Sequence, residues 1–207
     1  MDASELLASA KIVPVVVIDD IDTAVPLAEC LLAAGIDVIE VTLRTEAGLQ
    51  AIQKIAAAVP AMTVGAGSIR NVAQISAVAD AGAKFAVAPG ATEQIVTAAE
   101  AASLPFIPGA ATPSEMMLLL QRGYALQKFF PAELLGGIPF LKAVAAPLPE
   151  ISFMPTGGVT AKTATDYLAL ANVMSVGGTW IAPTGLLAAR DFAAIAALAS
   201  DAAQLAT

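Results

Sequence analysis

Short apolar runs rich in β-branched residues alternate with alanine-rich stretches along the whole chain. The short runs have the length of strands, and the alanine-rich stretches have the length and the spacing of apolar residues typical of helices. The pattern therefore predicts a series of strand–helix units. The eight predicted strands are Ile12–Ile18, Val38–Leu43, Thr63–Ser68, Phe85–Pro89, Phe106–Ala110, Ala125–Phe130, Ile151–Thr156 and Val173–Gly177.

Residues between these runs carry signals for the ends of helices. Asp22 is expected to cap a helix that has Pro26 in its first turn, and Gly35 is expected to end that helix. Thr112-Pro-Ser-Glu115 predicts a capping box with proline at the first helical position. Gly136-Gly137, after the sixth strand, is expected to form a flexible loop.

No linker or low-complexity segment interrupts the series, so residues 1–207 are expected to form one domain. Repeated strand–helix units predict an α/β fold, and eight of them favour a (β/α)8 TIM barrel with a short N-terminal helix. A doubly wound sheet is the alternative. It usually carries a glycine-rich loop after the first strand, whereas Ile18-Asp-Asp-Ile21 contains no glycine.

Charge and composition exclude several classes of function. The net charge of −8 and the absence of a Lys/Arg run argue against a nucleic-acid partner. The N-terminal residues lack the basic region of a signal peptide, and no apolar stretch is expected to span a membrane, so we expect a cytoplasmic protein. Cys30 is the single cysteine, and the absence of histidine removes Ser-His-Asp triads and most zinc sites.

The second predicted strand carries charged residues where a barrel interior should be apolar. Side chains alternate along a strand, so Glu40 and Arg44 lie on the face opposite the apolar residues Ile39 and Val41. That polar face is expected to point into the barrel, with Arg44 at its mouth. A buried carboxylate costs several kcal/mol unless it is paired. Two interpretations stay open, namely a structural Glu–Arg pair and a catalytic acid/base beside an anion-binding arginine.

The sixth predicted strand contains Lys128 between Gln127 and Phe129. A lysine in apolar surroundings loses hydration, and this loss favours the free amine that a Schiff-base nucleophile requires. The alternative is an outward-pointing lysine whose ammonium group reaches solvent between helices.

Three predicted strands end in glycine-rich segments. Val64-Gly-Ala-Gly-Ser68 lets the backbone approach a ligand and brings the Ser68 hydroxyl to the barrel mouth. Pro155-Thr-Gly-Gly158 and Val176-Gly-Gly-Thr179 end the last two strands, where many barrels bind a phosphate group through backbone N–H groups. Tight turns without a ligand are the alternative interpretation.

Five of these segments together resemble the 2-keto-3-deoxy-6-phosphogluconate (KDPG) and 2-keto-4-hydroxyglutarate (KHG) aldolases. The resemblance runs from about residue 11 to residue 201. The segments that carry it are Ile39-Glu-Val-Thr-Leu-Arg-Thr45, Val64-Gly-Ala-Gly-Ser68, Lys128-Phe-Phe-Pro-Ala-Glu133, Pro155-Thr-Gly-Gly158 and Gly177-Gly-Thr-Trp180.

The resemblance implies a role for each matching residue. Lys128 would form the imine, Glu40 would be the general acid/base, and Arg44 would bind the substrate carboxylate. Ser68 stands where the family usually has threonine, and Thr179 stands where serine is more common; both changes keep a hydroxyl group. The substrate-binding residues implied in this way are Arg44, Ser68, Lys128, Thr156, Gly157, Gly158 and Thr179.

The implied activity is class I cleavage of KDPG to pyruvate and glyceraldehyde 3-phosphate, with 4-hydroxy-2-oxoglutarate as a further substrate. No metal or other cofactor is expected, and the family resemblance implies a homotrimer. Two rival functions remain. An isomerase or lyase of another phosphorylated sugar leaves Lys128 without a covalent role, and a non-catalytic phosphate-ligand binder explains neither Lys128 nor Glu40.

Overall fold

The computed structural model describes residues 3–205 as alternating strands and helices. The strands are β1 (Ile12–Val16), β2 (Val38–Thr42), β3 (Thr63–Gly67), β4 (Phe85–Val87), β5 (Phe106–Ile107), β6 (Gly109–Ala110), β7 (Leu126–Phe129), β8 (Ser152–Pro155) and β9 (Val176–Gly178). The helices are α1 (Ala3–Leu6), α2 (Ala24–Ala33), α3 (Ala47–Ala58), α4 (Val72–Asp80), α5 (Glu93–Ala101), α6 (Pro113–Gln121), α7 (Gly137–Ala145), α8 (Ala161–Leu168), α9 (Thr184–Ala188) and α10 (Phe192–Gln204). Short 3₁₀ helices span Ile21–Thr23 and Glu133–Leu135.

The strands pair in parallel, which confirms the predicted α/β architecture. Their hydrogen bonds form one six-stranded sheet, in the order β5-β4-β3-β2-β1-β9, and one three-stranded sheet, in the order β6-β7-β8. Two isolated parallel bridges, Phe153 with Val173 and Thr156 with Gly177, connect the end of the second sheet to the end of the first. The ladders therefore do not form one continuous eight-stranded sheet.

Proline explains why the fifth predicted strand is divided. Pro108 lies between β5 and β6 and has no N–H group to donate to a neighbouring strand. Its carbonyl oxygen still accepts a hydrogen bond from the backbone N–H of Lys128 at 2.8 Å. Before Pro108 the segment pairs with β4, through β5, and after Pro108 it pairs with β7, through β6.

Other predicted strands are correct in position but differ at their ends. The third strand ends at Gly67, because Ser68 has a φ of +61°, outside the extended region. The last strand begins at Val176, and Val173 makes only one isolated bridge.

The strands are buried on both faces, as expected of parallel strands covered by helices. Every residue of β1, β2, β4, β7 and β9 is buried. Outside them, α3 contributes Ile52 and Ile55, each with no exposed surface, to the same core. Polar residues inside the strands therefore need a specific explanation.

Two of the predicted helix ends are confirmed and one is wrong. The capping box of α6 is present, with Thr112 and Glu115 each bonding the other's backbone N–H, and Gly35 follows α2 with a φ of +88°. Asp22, however, does not cap α2. A 3₁₀ helix precedes α2, Asp20 caps that 3₁₀ helix, and the Asp22 carboxylate instead pairs with Lys54 at 3.1 Å.

The prediction of a flexible loop at Gly136-Gly137 is also wrong. Gly137 is buried and is the first residue of α7, and both glycines have positive φ values of +96° and +51°.

Within residues 3–205, no helix combines the length and the apolar character needed to cross a membrane.

Candidate active site

The centre of the candidate site is a buried ion pair between two sheets. Nζ of Lys128 in β7 lies 3.1 Å from Oε1 of Glu40 in β2, and the side chains are 4% and 0% exposed. The ring of Phe130 lies beside the amine, with 5.6 Å between Nζ and the ring centroid. The inward orientation predicted for both residues is confirmed, and the outward-lysine alternative is excluded. The structural interpretation, a pair between Glu40 and Arg44, is wrong, because Glu40 pairs with Lys128.

Alternation along the strands explains why the two charged groups point inward. In β7, the side chain of Gln127 faces the opposite way and donates to the backbone oxygens of Met116 and Tyr124 at 3.0 and 2.9 Å. That contact fixes Gln127 towards α6. Lys128 is consequently directed to the interior side of the strand.

A glycine in the neighbouring strand makes room for the Glu40 carboxylate. A Cβ atom on Gly67 in β3 would overlap with Oε1 of Glu40. Among the described residues, Oε2 of Glu40 and the hydroxyl of Thr42, both fully buried, have no hydrogen-bond partner. The interior beside the ion pair therefore contains polar atoms that can bond to a substrate.

Arg44 and Ser68 meet at the rim formed by the carboxyl ends of β2 and β3. Nε of Arg44 donates to the hydroxyl of Ser68 at 3.1 Å, and Arg44 is exposed to solvent. The left-handed backbone conformation of Ser68 accompanies the sharp change of direction after β3. The two residues form a solvent-facing donor group above the buried ion pair.

The segment after β8 is a turn that requires glycine. Gly157 and Gly158 have φ values of +96° and +85°. A Cβ on Gly157 would lie 3.1 Å from the Phe130 ring, and one on Gly158 would lie 2.5 Å from Cγ of Glu133. The preceding residue, Thr156, is buried.

The glycine pair after Val176 is explained by packing. A Cβ on Gly177 would overlap with the hydroxyl of Thr156, and a Cβ on Gly178 would overlap with the ring of Trp180. Thr179 follows this pair and is exposed. The two segments that the sequence connects with phosphate binding are thus in contact with each other through Thr156 and Gly177.

Two further residues beside this turn, Tyr167 and Glu133, have no role in the sequence-based prediction. Tyr167 of α8, fully buried, donates its hydroxyl to Oε1 of Glu133 at 2.6 Å. Burial, followed by the hydrogen bond to Glu133, raises the pKa of Tyr167 above its usual range. Glu133 ends the segment Lys128-Phe-Phe-Pro-Ala-Glu133, but nothing in the sequence pairs it with a tyrosine 34 positions away.

No group of three or more Cys, Asp or Glu side chains in the described part of the chain is arranged to hold a metal ion. A cavity of about 430 Å³ lies between α5 and α6, where Leu118, Leu119 and Arg122 line it, and it includes neither Lys128 nor Glu40. The chemistry of the site therefore centres on the buried ion pair and the rim above it.

Comparison with known proteins identifies the family. The family model described as "KDPG and KHG aldolase" matches residues 3–198. The chain belongs to this family. The 2-dehydro-3-deoxy-phosphogluconate aldolase of Dickeya dadantii is 46% identical over 205 residues, which cover 99% of this chain and 96% of that protein. The resemblance inferred from the five sequence segments is thereby confirmed.

Solved structures of the family share the fold. The KDPG aldolase of Legionella pneumophila, with pyruvate captured at low pH as a covalent carbinolamine intermediate, superposes with a TM-score of 0.94 at 40% identity and 97% coverage of both chains. The enzyme of Zymomonas mobilis ZM4 with 3-phosphoglycerate superposes with a TM-score of 0.92 at 41% identity, over 97% of this chain and 94% of that one.

Proposed function

We propose that this member of the KDPG/KHG aldolase family is a class I aldolase that cleaves KDPG to pyruvate and glyceraldehyde 3-phosphate. The observation that carries the proposal is the buried contact between Lys128 and Glu40. The amine is close to a carboxylate that can exchange protons with it, in an interior that excludes water. The covalent carbinolamine in the Legionella relative supports this chemistry.

In the proposed reaction, the free amine of Lys128 adds to the C2 ketone of the substrate. Glu40, which holds the proton that the Lys128 ammonium gives up, passes it to the carbinolamine hydroxyl, so that water leaves and a protonated imine forms. When the C3–C4 bond breaks, its electron pair moves into the imine and forms an enamine, and Glu40 takes the proton from the C4 hydroxyl. The aldehyde then leaves. Glu40 returns a proton to C3 of the enamine, and hydrolysis releases pyruvate and restores the amine.

The rim residues would hold the two charged ends of the substrate. Arg44, steadied by its bond to Ser68, would bind the carboxylate of the pyruvyl half. Gly157, Gly158 and Thr179 would bind the phosphate through backbone N–H and hydroxyl groups, and Thr156, whose N–H donates to the oxygen of Phe129 at 3.0 Å, would contribute its hydroxyl. The Zymomonas structure with 3-phosphoglycerate supports a phosphate-bearing ligand for this family. Holding both ends aligns C2 with the amine.

We also infer that the two sheets are arcs of one closed (β/α)8 barrel, and that the chain, residues 1–207, is a single domain. The isolated bridges between β8 and the β9 segment support closure on one side, and the unbroken passage through Pro108 supports it on the other. The contact from β2 to β7 is then a contact across the barrel interior.

A second substrate, 4-hydroxy-2-oxoglutarate, is favoured by the same geometry. Lys128, Glu40 and Arg44 would all act on the pyruvyl half, which KDPG and 4-hydroxy-2-oxoglutarate share. The description of the matching family also names KHG aldolase. An isomerase or lyase without an imine leaves the buried amine unexplained.

Assembly as a homotrimer is proposed on the family resemblance, and a cytoplasmic location is proposed on the sequence composition.

Borohydride reduction in the presence of pyruvate tests the proposal. The expected product is a pyruvyl adduct on Lys128, identified by mass spectrometry of the peptide. Lys128→Ala should lose both the adduct and cleavage, whereas Lys142→Ala, which changes an exposed lysine of α7, should keep both. An adduct on a surface lysine, or no adduct at all, would overturn the imine mechanism.

A further inference from the structure

A second polar contact lies directly behind the turn at residues 156–158. Oε1 of Glu133 accepts a hydrogen bond of 2.6 Å from the hydroxyl of Tyr167. The side chain of Glu133 also packs against Gly158, where a Cβ atom would lie only 2.5 Å from Cγ and 2.7 Å from Cβ of Glu133. Glu133 is therefore placed between helix α8 and the turn.

The backbone joins the same two segments. The N–H of Ala132 donates to the oxygen of Thr156 at 2.9 Å, and the N–H of Glu133 donates to the oxygen of Gly157 at 3.1 Å. These bonds attach the segment after β7 to the segment after β8. Glu133 and the turn are therefore joined through the backbone as well as through side-chain packing.

Gly137 provides the space that the Tyr167 hydroxyl needs. A Cβ on Gly137 would lie 2.8 Å from that hydroxyl and 3.6 Å from Oε1 of Glu133. Gly137 also donates its N–H to the oxygen of Ala132 at 2.9 Å, which closes the short 3₁₀ segment around Glu133. The hydroxyl and the carboxylate are thus enclosed by backbone on one side.

The direction of the hydrogen bond is fixed. Because burial and the neighbouring carboxylate raise the pKa of Tyr167, its hydroxyl keeps its proton and acts as the donor at neutral pH. Glu133 lies at the surface, yet one of its oxygens is held towards α8 by this bond. A carboxylate that turned freely beside an anion-binding turn would oppose a phosphate group by like-charge repulsion.

We propose that Tyr167 and Glu133 are positioning residues for the phosphate group of the substrate, an inference that rests on the proposed function. Tyr167 holds the Glu133 carboxylate, and Glu133 in turn supports Gly157 and Gly158 in the conformation that receives the phosphate. Neither residue contacts the reacting carbon atoms. Their removal should therefore weaken the binding of phosphorylated ligands and leave the imine chemistry unchanged.

Tyr167→Phe is the first test, because it removes one hydroxyl and keeps the buried ring. We expect the KM for KDPG to rise about tenfold, with kcat changed less than about twofold. The pyruvate concentration that gives half-maximal borohydride trapping should stay at the parent value, since pyruvate has no phosphate. Tyr124→Phe, at the other tyrosine of the chain, is the matched control and should change neither quantity.

Glu133 provides a second test that does not alter the core. Glu133→Ala removes the acceptor and the contact with Gly158, so it should raise the KM for KDPG at least as much as Tyr167→Phe. Glu133→Gln keeps an oxygen that accepts from Tyr167 and removes the negative charge. The KM of Glu133→Gln for KDPG should therefore be equal to that of the parent or lower. Rescue by glutamine and not by alanine would show that the hydrogen bond to Tyr167, and not the negative charge of Glu133, supports phosphate binding.

The outcomes separate this inference from the proposed function. If Tyr167→Phe and Glu133→Ala keep the parent KM for KDPG, or if trapping with pyruvate weakens as much as KDPG binding, the positioning role is wrong. If the parent protein itself forms no pyruvyl adduct on Lys128, the proposed function is wrong, whatever the variants do. Selective loss of KDPG binding in a parent that forms the adduct supports both.

Discussion

Nζ of Lys128 and Oε1 of Glu40 lie 3.1 Å apart although their strands, β7 and β2, belong to different sheets. Neither residue can be replaced alone without leaving the other charge buried and unpaired. A pair of this kind has a high desolvation cost, so it is weak evidence for stability. Its presence in a buried interior, beside further polar atoms that have no hydrogen-bond partner among the described residues, is better explained by chemistry than by stability.

Removal of one partner should be strongly destabilising. We expect Lys128→Met to lower the free energy of unfolding by about 3–5 kcal/mol, because Glu40 remains buried without its partner. The double variant Lys128→Met/Glu40→Gln should lose less than the sum of the single variants. Urea denaturation of the four proteins measures this coupling. Additive losses, within about 0.5 kcal/mol, would contradict a direct interaction between the two side chains.

Glu40→Gln separates imine formation from proton transfer. The amide keeps the size of the carboxylate but does not accept the proton of the C4 hydroxyl. Cleavage of KDPG should fall by about 100- to 10,000-fold, the usual effect of losing a general acid/base. Borohydride should still trap pyruvate on Lys128. Cleavage at the parent rate in Glu40→Gln would assign the proton transfer to another group.

Gly67→Ala tests the position of Glu40 without changing either catalytic candidate. The new Cβ would overlap with Oε1 of Glu40 and displace the carboxylate. A displacement of about 1 Å is enough to reduce kcat/KM by about 100-fold. Gly185→Ala in α9 is the control, since a Cβ there meets no atom within 4 Å. Equal activity in the two variants would show that the interior tolerates a displaced Glu40.

Alternation of side chains was sufficient to predict which residues of β2 and β7 point inward. The contact between Glu40 and Lys128 was not predictable in the same way, because it depends on how strands 88 residues apart are placed across the interior. The division of the fifth strand follows from Pro108, whose missing N–H was visible in the sequence.

The conformation of turns and the contacts of helices were harder to predict from the sequence. Gly136-Gly137 has the composition of a flexible loop, yet its glycines are required by backbone conformation and by the approach of Tyr167. The bond between Tyr167 and Glu133 joins a helix to a segment in the preceding unit. No local pattern indicates such a contact, since Tyr167 alone is an ordinary buried aromatic residue.

Arg44→Lys tests recognition of the substrate carboxylate. A lysine keeps the positive charge but does not bind a carboxylate through two parallel hydrogen bonds, and it loses the Nε donor that bonds Ser68. The KM for KDPG and the half-saturating pyruvate concentration should both rise about tenfold. Ser68→Ala should cause a smaller increase in the same two quantities. A change confined to KDPG would place Arg44 at the phosphate instead.

The raised pKa of Tyr167 predicts an alkaline loss of stability. The folded protein holds the tyrosine proton more tightly than the unfolded chain, whose tyrosines have the ordinary pKa of 10.0. The stabilisation is therefore complete below pH 10 and decreases as the pH rises above it, by at most about 1.4 kcal/mol per pH unit. Tyr167→Phe lacks this proton, so its free energy of unfolding should fall less steeply above pH 10 than that of the parent.

Urea denaturation between pH 8 and about pH 11 measures both slopes, with Tyr124→Phe as the control for the other tyrosine. Parallel slopes in Tyr167→Phe and the parent would mean that the hydroxyl of Tyr167 titrates normally and does not hold Glu133.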